Sequence, residues 1–434
     1  MLGSSFPVFN THKTPVTTST VEESQLADDD PHNQRNSRQM ADPRQSTEPE
    51  FLIAPEQLRA KISSTGFAFR GFDQKNLGKT PELLADPVYG PVVEKHLRQA
   101  SELTADLLHR HVDLVTRVRE RRESTFEEYA ETLSLIVAAE TAQIELLRDI
   151  YGVDVSKAQL SIGYSLGEFA ALITSGVYSM DAILSPPLLL SDDIIALSEG
   201  VRMAIIFSRD QQMDLHLIER LCLEISARGN GTIAISTYLS PNTVLVLGQG
   251  DTIAELKTTM KQLCPAGVSV RENPHRWPPI HTPITRQRNI PDRAAVMMER
   301  ASGGFQKPTP DIISCVTGNA GYTAINSRSI LNHWVDEPQR LWDVVDQTIA
   351  SGIELLIHVG PDPNIIPSTM QRIRQNVQQQ LAARTLSSIG LRAMSHIVRR
   401  HRPWMNHLMS SSATLLRIPF IHEIILEDWL LQKR

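Results

Sequence analysis

Large apolar residues are scarce through residues 1–50 and frequent from Phe51 onward. The first stretch is rich in Ser, Thr, Pro, Asn, Gln and Asp. A segment so short of apolar side chains cannot bury enough surface to offset its ordering entropy, so it is expected to be a disordered tail. Gly66-Phe67-Ala68-Phe69-Arg70-Gly71 then reads as a first core strand running into a loop. Residues 93–120 and 124–150 carry helical periodicity. The second opens on Ser124-Thr125-Phe126-Glu127-Glu128, which offers a capping box in two registers. Its Leu133, Ile136, Val137, Ile144 and Leu147 form one stripe, widened by Leu135 and Leu146, which predicts a deeply buried helix. Gln159–Ile162 follows as a short buried strand, and Leu166–Thr174 as a helix of small and apolar residues stopped by Gly176. Helix, strand, tight turn, helix is the rhythm of an α/β parallel sheet.

The pattern changes between Met203 and Val270. Strand-like runs at Met203–Phe207, Thr232–Ser236, Thr243–Leu247 and Val268–Val270 are interleaved with helical runs at Leu215–Leu223 and Ile253–Leu263. That β-α-β-β-α-β order is ferredoxin-like, with Ser240-Pro241-Asn242 as its hairpin connection. It predicts a small subdomain inserted in the larger core. The core resumes through Pro278-Pro279-Ile280-His281-Thr282-Pro283, a helix over 284–300, and apolar β-rich runs at Ile312–Val316 and Ile353–Val359. Between Gln371 and His422 no acidic residue occurs but eight arginines do, densest at Arg399-Arg400-His401-Arg402. Ile424–Leu431 reads as an amphipathic or packing helix.

Composition narrows this picture only modestly. The 434 residues leave room for one large α/β domain with additions, or two to three smaller ones. A net charge of -6 argues against a general nucleic-acid binder. Cys222, Cys264 and Cys315 lack metal-ligand spacing and point to a reducing compartment without a disulfide framework. No apolar run reaches membrane-spanning length, and the N-terminus lacks the apolar core of a secretory signal, so a cytoplasmic enzyme is expected.

The chemistry concentrates at Ser161-Ile-Gly-Tyr-Ser-Leu-Gly-Glu-Phe-Ala170. Gly163-x-Ser165-x-Gly167 between a strand and a helix is the pattern of a nucleophile on a strained turn. Such a turn lifts the Ser165 hydroxyl clear of the backbone and leaves the Leu166 N–H free to meet a carbonyl oxygen. An ordinary buried serine in a strand–turn–helix is the plainer reading.

Gly163-Tyr164-Ser165-Leu166-Gly167-Glu168-Phe169-Ala170-Ala171-Leu172 resembles the G-H-S-x-G-E-[YF]-x-A-L motif of malonyl-CoA:acyl carrier protein transacylases and of the acyltransferase domains of fatty-acid and polyketide synthases. The acidic residue at Glu168 separates that family from most lipases and esterases. Tyr164 stands where the family usually has His. Phe69-Arg70-Gly71-Phe72 occupies the place of the family's F-P-G-Q-G, so the resemblance implies that the Phe72 N–H completes an oxyanion hole with Leu166; by itself the loop reads equally well as a plain strand end. His281-Thr282-Pro283 resembles the family's catalytic H-S-P just after the small subdomain. Ser165 is thus implied as nucleophile and His281 as general base, then acid. The family commonly orients this His through a backbone carbonyl, which the region around His333-Trp334 would supply. His358-Val359-Gly360-Pro361 is similar to the family's x-V-G-P-G.

The resemblance implies an α/β fold: a hydrolase-like core with a mostly parallel sheet (residues 51–200 and 275–370) and an inserted ferredoxin-like small subdomain (201–274). A basic helical C-terminal extension (371–434) lies beyond it. It implies acyl-CoA and an acyl carrier protein as partners, with no metal or redox cofactor. The substrate pocket departs from the pattern. The malonyl-specific family places an Arg twenty-five residues after the serine, and here that position is Leu190. Either the pocket takes an uncharged acyl group or another Arg reaches in. Two other functions fit the same residues: a serine hydrolase or thioesterase using the same dyad with water, and a non-catalytic binder of acyl chains or carrier protein. The basic C-terminal stretch reads as a docking surface for an acidic carrier or as a solvated face.

Overall fold

A computed structural model describes residues 53–208, 213–263, 267–273, 275–382 and 414–433. The expected tail over 1–50, Cys264 and the Arg399–Arg402 cluster lie outside these residues.

Strand-forming runs assemble into a six-stranded sheet of order β10-β9-β1-β2-β7-β8. Its strands are β1 (Thr65–Phe69), β2 (Leu160–Gly163), β7 (Ile312–Ser314), β8 (Asn319–Ala320), β9 (Leu355–Val359) and β10 (His422–Ile425). All neighbours pair in parallel except β7 with β8. Every residue of β1 is buried, as the central strand of a sheet covered on both faces must be. In register, Phe67 lies beside Ile357 and Phe69 beside Val359. These side chains share one core with Leu133, Ile136 and Leu147 of the helix Tyr129–Asp149. Ala68, Ile162 and Leu356 point the other way, onto Val344 and Val345 of the helix Leu341–Ala350 and Ile366 and Met370 of the helix Ile365–Ala382. The period-two alternation of each strand therefore divides the apolar residues between two cores. This is the α/β architecture expected from the sequence.

The smaller sheet contains β3 (Val201–Ser208), β4 (Ile233–Ser240), β5 (Thr243–Gln249) and β6 (Val268–Asn273), ordered β4-β5-β3-β6 and antiparallel throughout. One face packs on the helices Leu215–Ala227 and Thr252–Leu263 through Ile206, Ile218, Val246 and Leu256. The other carries Met203 and Leu247 against Ile284 of the core segment. Irregularities between Ile235 and Thr237 and between Tyr238 and Ser240 bend β4. There it forms a parallel bridge from Thr237 to Gln339.

Three elements differ from expectation. The helix over 93–120 is two helices, Gly90–Leu108 and Leu114–Arg119, because His109 turns left-handed (φ 51°) and the Asp113 side chain caps a new start at Thr116 N–H. The helix over 284–300 is a short 3-10 turn, Pro283–Arg288, then the helix Ile290–Arg300, separated by left-handed Asn289. The C-terminal stretch is not simply helical. A boundary at 370 falls inside the helix Ile365–Ala382, and Ile424 belongs to β10, which pairs with β9. A short apolar run cannot be told as helix or strand by periodicity alone; here the open edge of β9 decides it. The helix Leu426–Gln432 then docks through Trp429, whose indole donates to Ile53 O at 2.9 Å. Two of the segment's arginines are structural. Arg417 donates to Ile353 O (3.1 Å) and Arg374 to Ile421 O (2.9 Å). No described helix is long and apolar enough to cross a membrane.

Candidate active site

The turn after β2 is shaped by three close approaches. A Cβ on Gly163 would overlap the Glu168 backbone N, one on Gly167 would overlap the Phe69 carbonyl oxygen, and one on Gly71 would lie 2.7 Å from Tyr164. Only glycine permits β1, the turn and the following helix to come this close. Between the glycines Ser165 takes φ 53° and ψ −115°, a conformation costing about 1–3 kcal/mol that the packed surroundings impose. Leu166 opens the helix Leu166–Thr174, so its N–H is one of the first-turn donors that no helical carbonyl can satisfy.

His281 arrives from 116 residues away and sets its Nε2 at 2.7 Å from Ser165 Oγ. Its backbone is also left-handed (φ 62°), and its N–H donates to Val335 O at 2.6 Å. Nδ1–H donates to the Trp334 carbonyl at 2.6 Å, which fixes the tautomer and leaves the Nε2 lone pair for the serine proton. The carbonyl expected near His333-Trp334 is therefore that of Trp334. Burial lowers the His281 pKa to about 4, with the Trp334 hydrogen bond acting in the opposite sense. The ring is neutral at neutral pH and ready to accept a proton.

The structure adds residues that sequence reasoning missed. The Trp334 indole donates to Ser165 O at 3.1 Å, and its ring sits edge-on to His281 (centroids 4.8 Å apart). Gln339, wholly buried, accepts the Ser165 N–H at 3.2 Å through Oε1 and packs its Nε2 3.2 Å from His281 Nδ1. Since the Nδ1 proton goes to the nearer Trp334 carbonyl, that second contact is packing. The Gln339 backbone meanwhile bonds β4, donating to Ser236 O (2.8 Å) and accepting from Tyr238 N–H (2.9 Å). One residue thus touches the elbow, the imidazole and the small subdomain. Nothing local in Pro338-Gln339-Arg340 signals this, because all three contacts are long-range.

Tyr164, where His was expected by family pattern, directs its hydroxyl to Thr237 Oγ1 at 3.0 Å. It is a second link to β4, and burial pushes its phenol up to about 12. Phe72 packs edge-on against Tyr129 and Trp277, at 5.0 and 5.6 Å between centroids, on the loop that Gly71 holds against Tyr164. Arg70, in place of the family's Pro, pins that loop from inside by donating to Gly71 O (2.9 Å), Lys75 O (3.1 Å) and Pro361 O. Beside it the carboxyl of Glu140 is pushed well above its usual range by burial. Glu168 accepts from Tyr322 Oη at 2.7 Å, and its pKa rises to about 7 because it is buried.

Leu190, 2% exposed, lines a cavity of about 40 Å³ shared with Phe169, Ile183, Trp334 and Val335. His333, Asp336 and Glu337 bring ligand atoms within 4.8 Å of one another. Arg286 already pairs with Asp336 (2.7 Å) and Glu337 (3.4 Å), which offsets the charge a cation would need.

No family model matches the sequence, and no curated protein matches it. The fold nevertheless has counterparts among solved structures. The malonyl CoA-acyl carrier protein transacylase from Coxiella burnetii superposes with TM-score 0.57 at 20% identity, over 73% of this chain and 92% of that one. An acyl carrier protein S-malonyltransferase from Vibrio cholerae gives 0.54 at 20%, over 70% and 92%. The acyltransferase domain from module 8 of the salinomycin polyketide synthase gives 0.57 at 19%, over 72% and 68%. The chain has the fold that these transacylases and acyltransferase domains share, as its serine motif suggested.

Proposed function

We propose that the chain is an acyltransferase that moves an acyl group from coenzyme A to the phosphopantetheine thiol of an acyl carrier protein. The observation that carries this reading is the 2.7 Å contact between Ser165 Oγ and His281 Nε2, with His281 Nδ1–H held by the Trp334 carbonyl, on a transacylase fold. His281 accepts the serine proton as Ser165 Oγ attacks the thioester carbonyl. The oxyanion is received by the Leu166 and Phe72 N–H groups. The C–S bond breaks, the imidazolium returns its proton to the departing sulfur, and free coenzyme A leaves an acyl-serine ester. The carrier thiol then attacks that ester with the proton transfers reversed, restoring Ser165. Burial of Ser165 and His281, 4% and 3% exposed, favours a thiol over water as acceptor by limiting solvent at the ester. The cycle uses no metal or redox cofactor, and its place of work is the cytoplasm.

The test is intact-mass analysis of the full chain after incubation with acyl-CoA, then with a carrier protein. A mass increase on Ser165 that moves to the carrier supports the reading, and Ser165→Ala should remove it. Acyl groups that leave only as free acid, with none on any carrier, would identify a hydrolase instead.

A further inference from the structure

The cavity beside the dyad has a chemistry of its own. All fourteen residues that line it are aliphatic, aromatic, Pro, Ala or Met. Ser165 and His281 are not among the lining residues; Trp334 borders both sides, its ring forming part of the wall and packing edge-on to His281 while its indole bonds the Ser165 carbonyl. Phe169, one helical turn after Ser165, stacks on Trp334 at 4.5 Å and closes the adjacent side. Leu190, between the helices Met180–Leu189 and Ser191–Leu197, covers another. No cationic side chain reaches in from the described neighbours. Arg288 and Arg293 flank Ile290, which lines the wall, but both pair with Asp193 at 3.0 and 2.5 Å. Arg276 donates to Ser198 Oγ (2.9 Å) and Ile195 O (3.1 Å). Arg70 is committed to four backbone carbonyls.

We propose that this cavity receives the tail of the acyl group on Ser165, and that the group is short and uncharged. This rests on the acyl-serine reading above and adds the substrate class. Size sets the length. A cavity of about 40 Å³ has room for only a few methylene-sized groups. With the carbonyl carbon at Ser165, the acyl group has about two to four carbons. Charge sets the class. A second carboxylate, as in malonyl, would lose its hydration with no cation to replace it: of the lining side chains only Tyr129 and Trp334 carry donors, and the Trp334 indole is already bonded to Ser165 O. Acetyl, propionyl or butyryl loses nothing polar on entering.

The experiment is a time course of Ser165 acylation, read by intact mass, with the full chain and equal concentrations of acetyl-, butyryl-, decanoyl- or malonyl-CoA. Acetyl or butyryl should label about 100-fold faster than malonyl, and faster than decanoyl. Leu190→Phe, which fills the cavity, should shift the acetyl-to-butyryl ratio about tenfold toward acetyl. Malonyl labelling as fast as butyryl overturns the proposed class while leaving the acyl-serine reading intact, and labelling that rises through decanoyl overturns the length. Failure of all four thioesters to modify Ser165 overturns both.

Discussion

The protonation of His281 sets how acylation should depend on pH, and the structure makes the direction unusual. An imidazole at its ordinary value near 6.5 would be about 9% neutral at pH 5.5. With its pKa lowered to about 4 by burial, His281 is about 97% neutral there. The acylation rate at sub-saturating thioester follows the neutral fraction of the free enzyme. It should therefore stay flat from about pH 8 down to about 5, then fall about tenfold per unit below about 4. The thioester should be the N-acetylcysteamine form, which carries no phosphate to titrate over this range, and acyl-Ser165 should be quantified by mass after rapid quench. Stability runs in the same sense. Between about pH 6.5 and 4 the unfolded chain binds a proton on this His that the folded chain does not, so folding weakens as pH falls through that window. Folded protein at each pH must therefore be verified by circular dichroism. A tenfold loss of rate between pH 7 and 5.5, with the fold intact, would show that His281 titrates as an exposed imidazole and would refute the argument.

Other residues give sharper local tests. Gln339→Ala leaves the buried Ser165 N–H without its acceptor and should lower stability by about 1–3 kcal/mol in urea unfolding, with slower Ser165 acylation. Tyr164→Phe removes one hydrogen bond between core and small subdomain; a loss of about 1 kcal/mol with Ser165 still reactive is expected, and abolished labelling would assign the phenol a part in the chemistry. Trp429→Ala should cost about 3–5 kcal/mol although it lies in the last ten residues of the chain, because its ring is 2% exposed and its indole is bonded to Ile53. An unchanged melting temperature would mean that β10 and its helix contribute little to the core.

How far the chain could be read depended on the range of the interactions. Gly163-x-Ser165-x-Gly167 was legible because the turn is made by neighbours: each glycine is required by backbone a few residues away or on the adjacent strand. The ferredoxin-like subdomain was legible because alternation and helical period each repeat within a dozen residues. His281 was marked by its place after that subdomain through the family resemblance, whereas its contact with Ser165 spans 116 positions and exists only once the sheet has assembled. Trp334 as a clamp on both dyad members, Gln339 as the link to β4, and β10 as the outer strand had no local signature. Each is a contact between segments far apart in the chain, and which partner they meet is set by which edge, carbonyl or cavity the rest of the fold leaves open. Local periodicity determines what an element is; the packing of distant elements decides what it touches, and the chemistry of this site is made of such contacts.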